Sequence, residues 1–134
     1  MIVIVDTPVW SEYYRRPSPR SEIVQSIRRL FAAGEASLLG CIRQEVLSGV
    51  KDPVQFDALR GLLRAVPDIR THFGDYERAS ELSNTCRSRG IQGASTDFLV
   101  CAVAERLSAP IFTLDRDFEM FQRVLGIPLY PLTP

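Results

Sequence analysis

Ligands for a transition metal are scarce in this chain. Its 134 residues include one histidine, His72, and three cysteines, Cys41, Cys86 and Cys101, with no C-x-x-C pair. That scarcity excludes the usual His and Cys zinc site, and an odd, scattered set of thiols is no disulfide framework. Cys41 and Cys101 lie in apolar stretches where a small thiol packs as a hydrophobe, so both are expected in the core. Net charge is also missing. Sixteen basic residues offset sixteen acidic ones, so any nucleic-acid binding must come from a local patch and not from a global field. Lys51 is the one lysine among those sixteen basic residues, and the arginine fork suits phosphate better than an ammonium does. No apolar run approaches the roughly 18 residues that span a bilayer. The opening run Ile2-Val3-Ile4-Val5 is too short for a signal peptide and lacks a basic lead, so the expected location is cytoplasmic with no membrane partner.

What is present belongs to a folded chain. Apolar residues make up 46 % and charged residues 24 %, which is the balance of an ordinary globular protein. The length suits one domain, residues 1–134. There is no internal repeat and no low-complexity segment.

The most informative stretch is Ile111-Phe112-Thr113-Leu114-Asp115-Arg116-Asp117-Phe118. It begins as a short run rich in β-formers and stops at a carboxylate, which predicts a buried strand over 111–114 delivering Asp115 to its end. Phe118, Phe121, Val124 and Leu125 then recur at helical spacing before Gly126 and Pro128. The N-terminus has the same grammar: the strand 2–5 ends at Asp6, and Thr7-Pro8 offers a cap with proline at the first helical position. Between them the pattern predicts a helix over 8–14, a loop through Arg20, and an amphipathic helix from Ser21 closed by Gly34. A strand over 36–41 follows, then a helix over 42–50 carrying Glu45. The next helix runs from Asp52-Pro53 to Val66, with Phe56, Leu59, Leu62 and Leu63 facing the core. Residues 68–73 read as a weak strand or an extended connector before a polar helix over 74–89. The stretch 94–104 is apolar on nearly every face apart from Asp97 and is expected to be a buried helix. A last strand is expected at Leu129-Tyr130. Strands separated by helices imply an α/β fold with a mainly parallel sheet and helices on both faces.

In such a fold the strand ends and the first turns of the following helices collect along one rim, where ligands bind. Asp6, Glu45, Asp97 and Asp115 are all expected at that rim. A carboxylate near a helix N-terminus is often only a cap; Asp117, beside Asp115 in a first turn, fits that reading too. Four carboxylates meeting in one place repel one another, so either some hold protons or a cation neutralises them. An all-oxygen set of this kind selects a hard ion, Mg²⁺ or Mn²⁺. Such an ion activates water and neutralises charge on a phosphoryl oxygen, which is the chemistry of phosphodiester hydrolysis.

Read as motifs in order, Val5-Asp6-Thr7 with Trp10, Gln44-Glu45-Val46-Leu47-Ser48-Gly49, Thr96-Asp97-Phe98-Leu99-Val100 and Thr113-Leu114-Asp115-Arg116-Asp117-Phe118 resemble those of the PIN-domain ribonucleases, in particular the VapC-type toxins of toxin–antitoxin pairs. The resemblance covers nearly the whole chain. It implies a PIN-like three-layer sandwich around a mainly parallel five-stranded sheet, and Mg²⁺- or Mn²⁺-dependent cleavage of RNA. It also implies a homodimer and inhibition by a small cognate VapB-type antitoxin. By position, Asp6, Glu45, Asp97 and Asp115 would take the acidic-site roles, with Asp6, Asp97 and Asp115 as metal ligands and Asp117 as an additional acid. Thr113 matches the family's hydroxyl position, and in an extended strand it faces the same side as Asp115. Cys101 stands where relatives often carry alanine and Leu114 where asparagine is frequent. Trp10, Tyr13 and Tyr14 on the first helix are expected either to cover the core or to form an association surface.

Rival classes fare worse. A phosphoacceptor receiver needs a lysine at its acidic site, and the one lysine stands beside a helix-opening proline. An Asp-based phosphatase would carry Asp-x-Asp, whereas Asp6 is followed by Thr7-Pro8-Val9. The alternative that stays open is a non-catalytic PIN-like scaffold that binds RNA or a protein partner.

Overall fold

Each run of β-formers hands the chain to a helix. In the computed structural model, which describes residues 1–132, β1 (Val3–Val5) leads into α1 (Thr7–Arg15) and α2 (Ser21–Ala33). Then follow β2 (Ala36–Leu39), α3 (Gly40–Ser48), α4 (Pro53–Leu63), β3 (Asp68–Ile69), α5 (Phe73–Ser88) and α6 (Ser95–Leu107). The chain continues through β4 (Ile111–Phe112) and α7 (Asp117–Leu125). The four strands pair in the order β3-β2-β1-β4, all parallel. Every residue of β1, β2 and β4 is buried. Burial on both faces is what helices above and below a parallel sheet produce.

The expected fifth strand is reduced to one parallel bridge between Leu129 and Ile111. Ile111 donates its N–H to the Pro128 carbonyl at 3.0 Å, and Tyr130 donates to the Ile111 carbonyl at 2.9 Å. Pro128 and Pro131 bracket that bridge; neither has an N–H to extend the ladder. The strand expected over 111–114 is also shorter, because Thr113 and the residues after it turn out of the sheet to serve the site described below. The 68–73 strand contracts to two residues for want of apolar side chains.

Glycines close two helices. Gly34 (φ 67°) and Gly126 (φ 72°) cap α2 and α7 in the left-handed region, where a side chain is strained. Gly93, ahead of α6, is required for a different reason: a β-carbon there would lie 2.6 Å from Phe121 and 3.1 Å from Phe98. A side chain at this position would have to displace the Phe121 ring.

Trp10 is 0 % exposed and donates its Nε1–H to the Val5 carbonyl at 2.9 Å. It is a core residue pinning α1 to β1, with Tyr14 stacked against it at 6.0 Å. It therefore offers nothing to an association surface, while Tyr13 and Tyr14 are half-buried. On α4, Leu59 and Leu63 are buried as expected, but Leu62 is 51 % exposed and Phe56 only half-buried. The helix presents a narrower apolar stripe than its composition suggested. No helix among the described residues is long and apolar enough to cross a membrane.

Candidate active site

β1 ends at Asp6, and the Asp6 carbonyl receives the Val9 and Trp10 amides at 3.1 and 3.4 Å. Its backbone thus caps α1, yet its side chain makes no capping hydrogen bond. That leaves the carboxylate free to face the sheet's C-terminal edge. There Thr113 donates its hydroxyl to Asp6 Oδ2 at 2.8 Å. The same hydroxyl oxygen accepts the Asp115 amide at 3.1 Å, and Asp115 Oδ1 accepts the Asp117 amide at 2.9 Å. One short segment therefore fixes two carboxylates that are far apart in sequence. On α6, Asp97 Oδ2 accepts the Ala94 amide at 3.1 Å. This is half of a capping box; Ala94 has no side-chain acceptor to complete it.

Asp6, Glu45, Asp97 and Asp115 line one small cavity of about 50 Å³. They come from four separate elements, as the rim argument requires. Asp117 is exposed and does not line the cavity; its amide, more than its carboxylate, serves the site. Cys41 and Thr96 line it as well. Cys41 was expected in the core, but it is half-buried and sits in the cavity wall. The signal was available: Cys41 and Glu45 are four apart on α3 and so share a face.

The carboxylates surround the cavity without converging. Among the described residues, no three His, Cys, Asp or Glu side chains come close enough to form a finished metal-binding group. Asp6, Asp97 and Asp115 each accept a hydrogen bond from a neighbouring hydroxyl or amide. A carboxylate has about four lone-pair positions, so each keeps acceptors for a cation.

The electrostatics agree with a crowded anionic site. Asp6 is 7 % exposed, and its pKa is pushed up from 3.8 to about 6, chiefly by burial and further by Asp97 and Glu45. The Thr113 hydroxyl and the Thr7 amide pull it the other way. Asp97 is also raised, first by burial and then by the charges of Asp115, Glu45 and Asp117, against the Ala94 hydrogen bond. Burial likewise raises the Cys41 thiol, with Glu45 and Asp6 adding to it. Away from the rim, Asp75 behaves in the opposite sense. It is 4 % exposed, receives Arg106 at 2.8 and 3.0 Å, and is lowered mainly by that contact.

A parallel α/β sheet with a carboxylate-lined cavity at its C-terminal edge places the chain among the α/β folds whose sites lie at that rim. The particular family follows from comparison: a PIN domain model matches residues 3–124, and the chain belongs to the PIN domain family. It is similar to Ribonuclease VapC11 of Mycobacterium tuberculosis, 29 % identical over 94 % of this chain and 96 % of that protein. Its fold is similar to that of VapBC-1 from nontypeable Haemophilus influenzae, with TM-score 0.77 and 17 % identity over 100 % of both chains. A toxin–antitoxin complex from Klebsiella pneumoniae has a chain of TM-score 0.73 and 19 % identity, covering 98 % of each.

Proposed function

We propose that this chain is a metal-dependent endoribonuclease, the toxin of a VapBC-type toxin–antitoxin pair, working in the cytoplasm. The observation that carries the reading is the cavity bounded by Asp6, Glu45, Asp97 and Asp115. Membership of the PIN family and the likeness to proteins named as VapC ribonucleases support it.

The donor set is all oxygen apart from the Cys41 thiol, and the Asp6 pKa is raised chiefly by burial and further by the charges of Asp97 and Glu45, which a cation would offset. Mg²⁺ or Mn²⁺ fits such a set. Asp6, Asp97 and Asp115 would hold the ion. When bound, it supplies an activated water and neutralises charge on the phosphoryl oxygen under attack. Glu45, exposed at the edge of the cavity, would serve as the general base for the attacking water or return a proton to the leaving oxygen. Thr113 keeps Asp6 aimed inward and favours its ionised form, and the Asp117 amide orients the Asp115 carboxylate; the Asp117 carboxylate adds negative potential at the mouth. RNA is the substrate in this reading.

The partners are a second copy of the chain and a VapB-type antitoxin. An anionic cavity is blocked most simply by a basic side chain, and an arginine fork can bridge two carboxylates. The antitoxin would then place an Arg or Lys against Asp6, Asp97 and Asp115. Replacing that residue by glutamine should release cleavage; inhibition and metal occupancy that both stay unchanged would show that the antitoxin only covers the RNA path.

The test of the main reading is incubation of the purified protein with structured RNAs and Mg²⁺ or Mn²⁺, with EDTA controls. Cleavage should need the metal and vanish in Asp97→Asn. Cleavage that persists in EDTA would sink the metal mechanism, and a folded, metal-loaded protein that cuts no RNA would favour a binding scaffold.

A further inference from the structure

The acidic cavity, at about 50 Å³, is too small for a base or a ribose. Whatever grips the strand beside the scissile bond must do so elsewhere. A depression of about 460 Å³ opens between α5 and the first turn of α6, and Thr96 lines both spaces. Its size is in the range of small-molecule pockets, about 300–1,000 Å³.

Its chemistry differs sharply from that of the acidic cavity. No Asp or Glu lines it, although α5 carries Asp75, Glu77 and Glu81. Tyr76, Ser80, Ser83, Asn84 and Arg87 recur three and four apart and so form one face of α5. Glu81 lies off that face and pairs with Arg78 at 3.5 Å. The buried Phe98 ring contributes to the floor. At one end Tyr76 is 55 % exposed, its hydroxyl 3.3 Å from Thr71 Oγ1, which limits how the ring can turn. At the other end Arg87 donates to Asn84 Oδ1 and meets no carboxylate among the described residues. A second depression of about 290 Å³ shares Ser83 and Arg87, continues to Gln92 and Gly93, and again has no acid in its lining. The Asp75–Arg106 and Arg78–Glu105 contacts show that α5 and α6 run antiparallel, so a strand leaving the carboxylates would pass first a cation without an acidic partner, then amide and hydroxyl groups, and then an aromatic face.

We propose that this depression is a subsite for single-stranded RNA next to the scissile phosphate, with a base stacked on Tyr76 and a backbone phosphate on Arg87. Splayed bases on aromatic rings are the common means of gripping single strands. The Ser83 hydroxyl and the Asn84 amide between those two anchors can read base edges, so cleavage-site preference would reside here and not at the metal. This inference rests on the ribonuclease reading above. A second copy of the chain seated on the same face is the competing occupant, and the test separates the two.

Full-length Asp97→Asn protein, which holds RNA uncut, is titrated with a fluorescein-labelled mixed-sequence RNA of about 12 nucleotides, within the span such sites cover. Adding Tyr76→Ala should weaken binding roughly ten- to hundredfold through lost stacking, and Tyr76→Phe should restore it. Adding Arg87→Gln should lower the slope of log affinity against log salt by about 0.7, the share of one phosphate contact on a single strand. Glu77→Gln, on the same helix outside the depression, should change neither quantity. In the cleaving protein, Tyr76→Ala should raise KM and relax site preference with little change in kcat. Affinities of Tyr76→Ala and Arg87→Gln equal to the parent's would overturn the subsite. So would sedimentation showing that both variants lose a dimer while their monomers bind RNA as the parent does. A wild type that cleaves no RNA defeats the ribonuclease reading itself, whereas one that cleaves with a preference untouched by Tyr76→Ala defeats only the subsite.

Discussion

Replacing Asp6 by asparagine should make the protein more stable when no divalent ion is present. The change keeps side-chain volume and an acceptor for the Thr113 hydroxyl, now 2.8 Å from Asp6 Oδ2, and removes a buried charge. The magnitude follows from the shift. The Asp6 pKa is about 6 in the folded chain against an ordinary 3.8. The native state therefore binds the proton more tightly than the unfolded state does, and stability falls as pH rises between those values. The penalty is absent below the ordinary pKa and complete above the folded one. Two units correspond to about 3 kcal/mol at pH 7, and roughly half of that at pH 5. Urea unfolding in EDTA at both pH values measures it. The difference between wild type and Asp6→Asn should favour the variant by about 2–3 kcal/mol at pH 7 and shrink by about 1 kcal/mol at pH 5. Asp75 does not confuse the comparison, since its pKa lies below the ordinary value and outside this window. Saturating Mg²⁺ should then close most of that gap, adding about 2.7 kcal/mol to the wild type at a hundred times Kd and little to the variant. A destabilised Asp6→Asn in EDTA, or a difference that does not vary with pH, would refute the reasoning.

Further outcomes follow from single contacts. Thr113→Val removes the hydroxyl that lowers the Asp6 pKa and the acceptor of the Asp115 amide; metal affinity should drop about tenfold or more, with Thr113→Ser retaining it in calorimetric titration. Asp97→Asn should abolish RNA cleavage and still fold, because the carboxamide oxygen can accept the Ala94 amide. Asp97→Ala should lose about a further 1 kcal/mol of stability with that cap, read from urea midpoints. Arg106→Met strands the buried Asp75 carboxylate and should cost about 2–3 kcal/mol without altering metal affinity. Because Asp75 is lowered by its partner, the wild-type share of that stability is present above the ordinary Asp pKa and disappears as acid takes the pH through the folded value.

The alternation of strands and helices was legible because each strand here is a short apolar run broken by a turn residue or a carboxylate. Residues such as Asp6 and Asp115 announced themselves by ending such runs, and Asp97 by interrupting the otherwise apolar stretch that became α6. Distances within the rim were not legible. Nothing in the spacing of Asp97 reveals that its oxygen is held by the Ala94 amide, or that the four acids surround a cavity without converging. Cys41 packs against the core yet reaches the cavity wall, because apolar neighbours in sequence are not all neighbours in space; its four-residue offset from Glu45 carries the better signal. Leu62 was misjudged because α4 is covered on one narrow stripe only. The terminal strand shrank to a bridge at Leu129 because flanking prolines govern ladder length more strongly than the β-propensity of Leu129-Tyr130 does. The Asp75–Arg106 pair went unseen for a general reason: ion pairs thirty residues apart leave no periodic trace.

The central claim is that these carboxylates act together on one kind of divalent ion, and Mn²⁺ binding followed by electron paramagnetic resonance of the free ion tests it most directly. Wild-type protein stripped with EDTA should bind Mn²⁺ saturably. Asp6→Asn, Asp97→Asn and Asp115→Asn should each weaken that binding about tenfold or more, as loss of a charged ligand implies, while Arg106→Met leaves it unchanged. No saturable binding by the wild type, or binding that survives all three substitutions, would contradict the account.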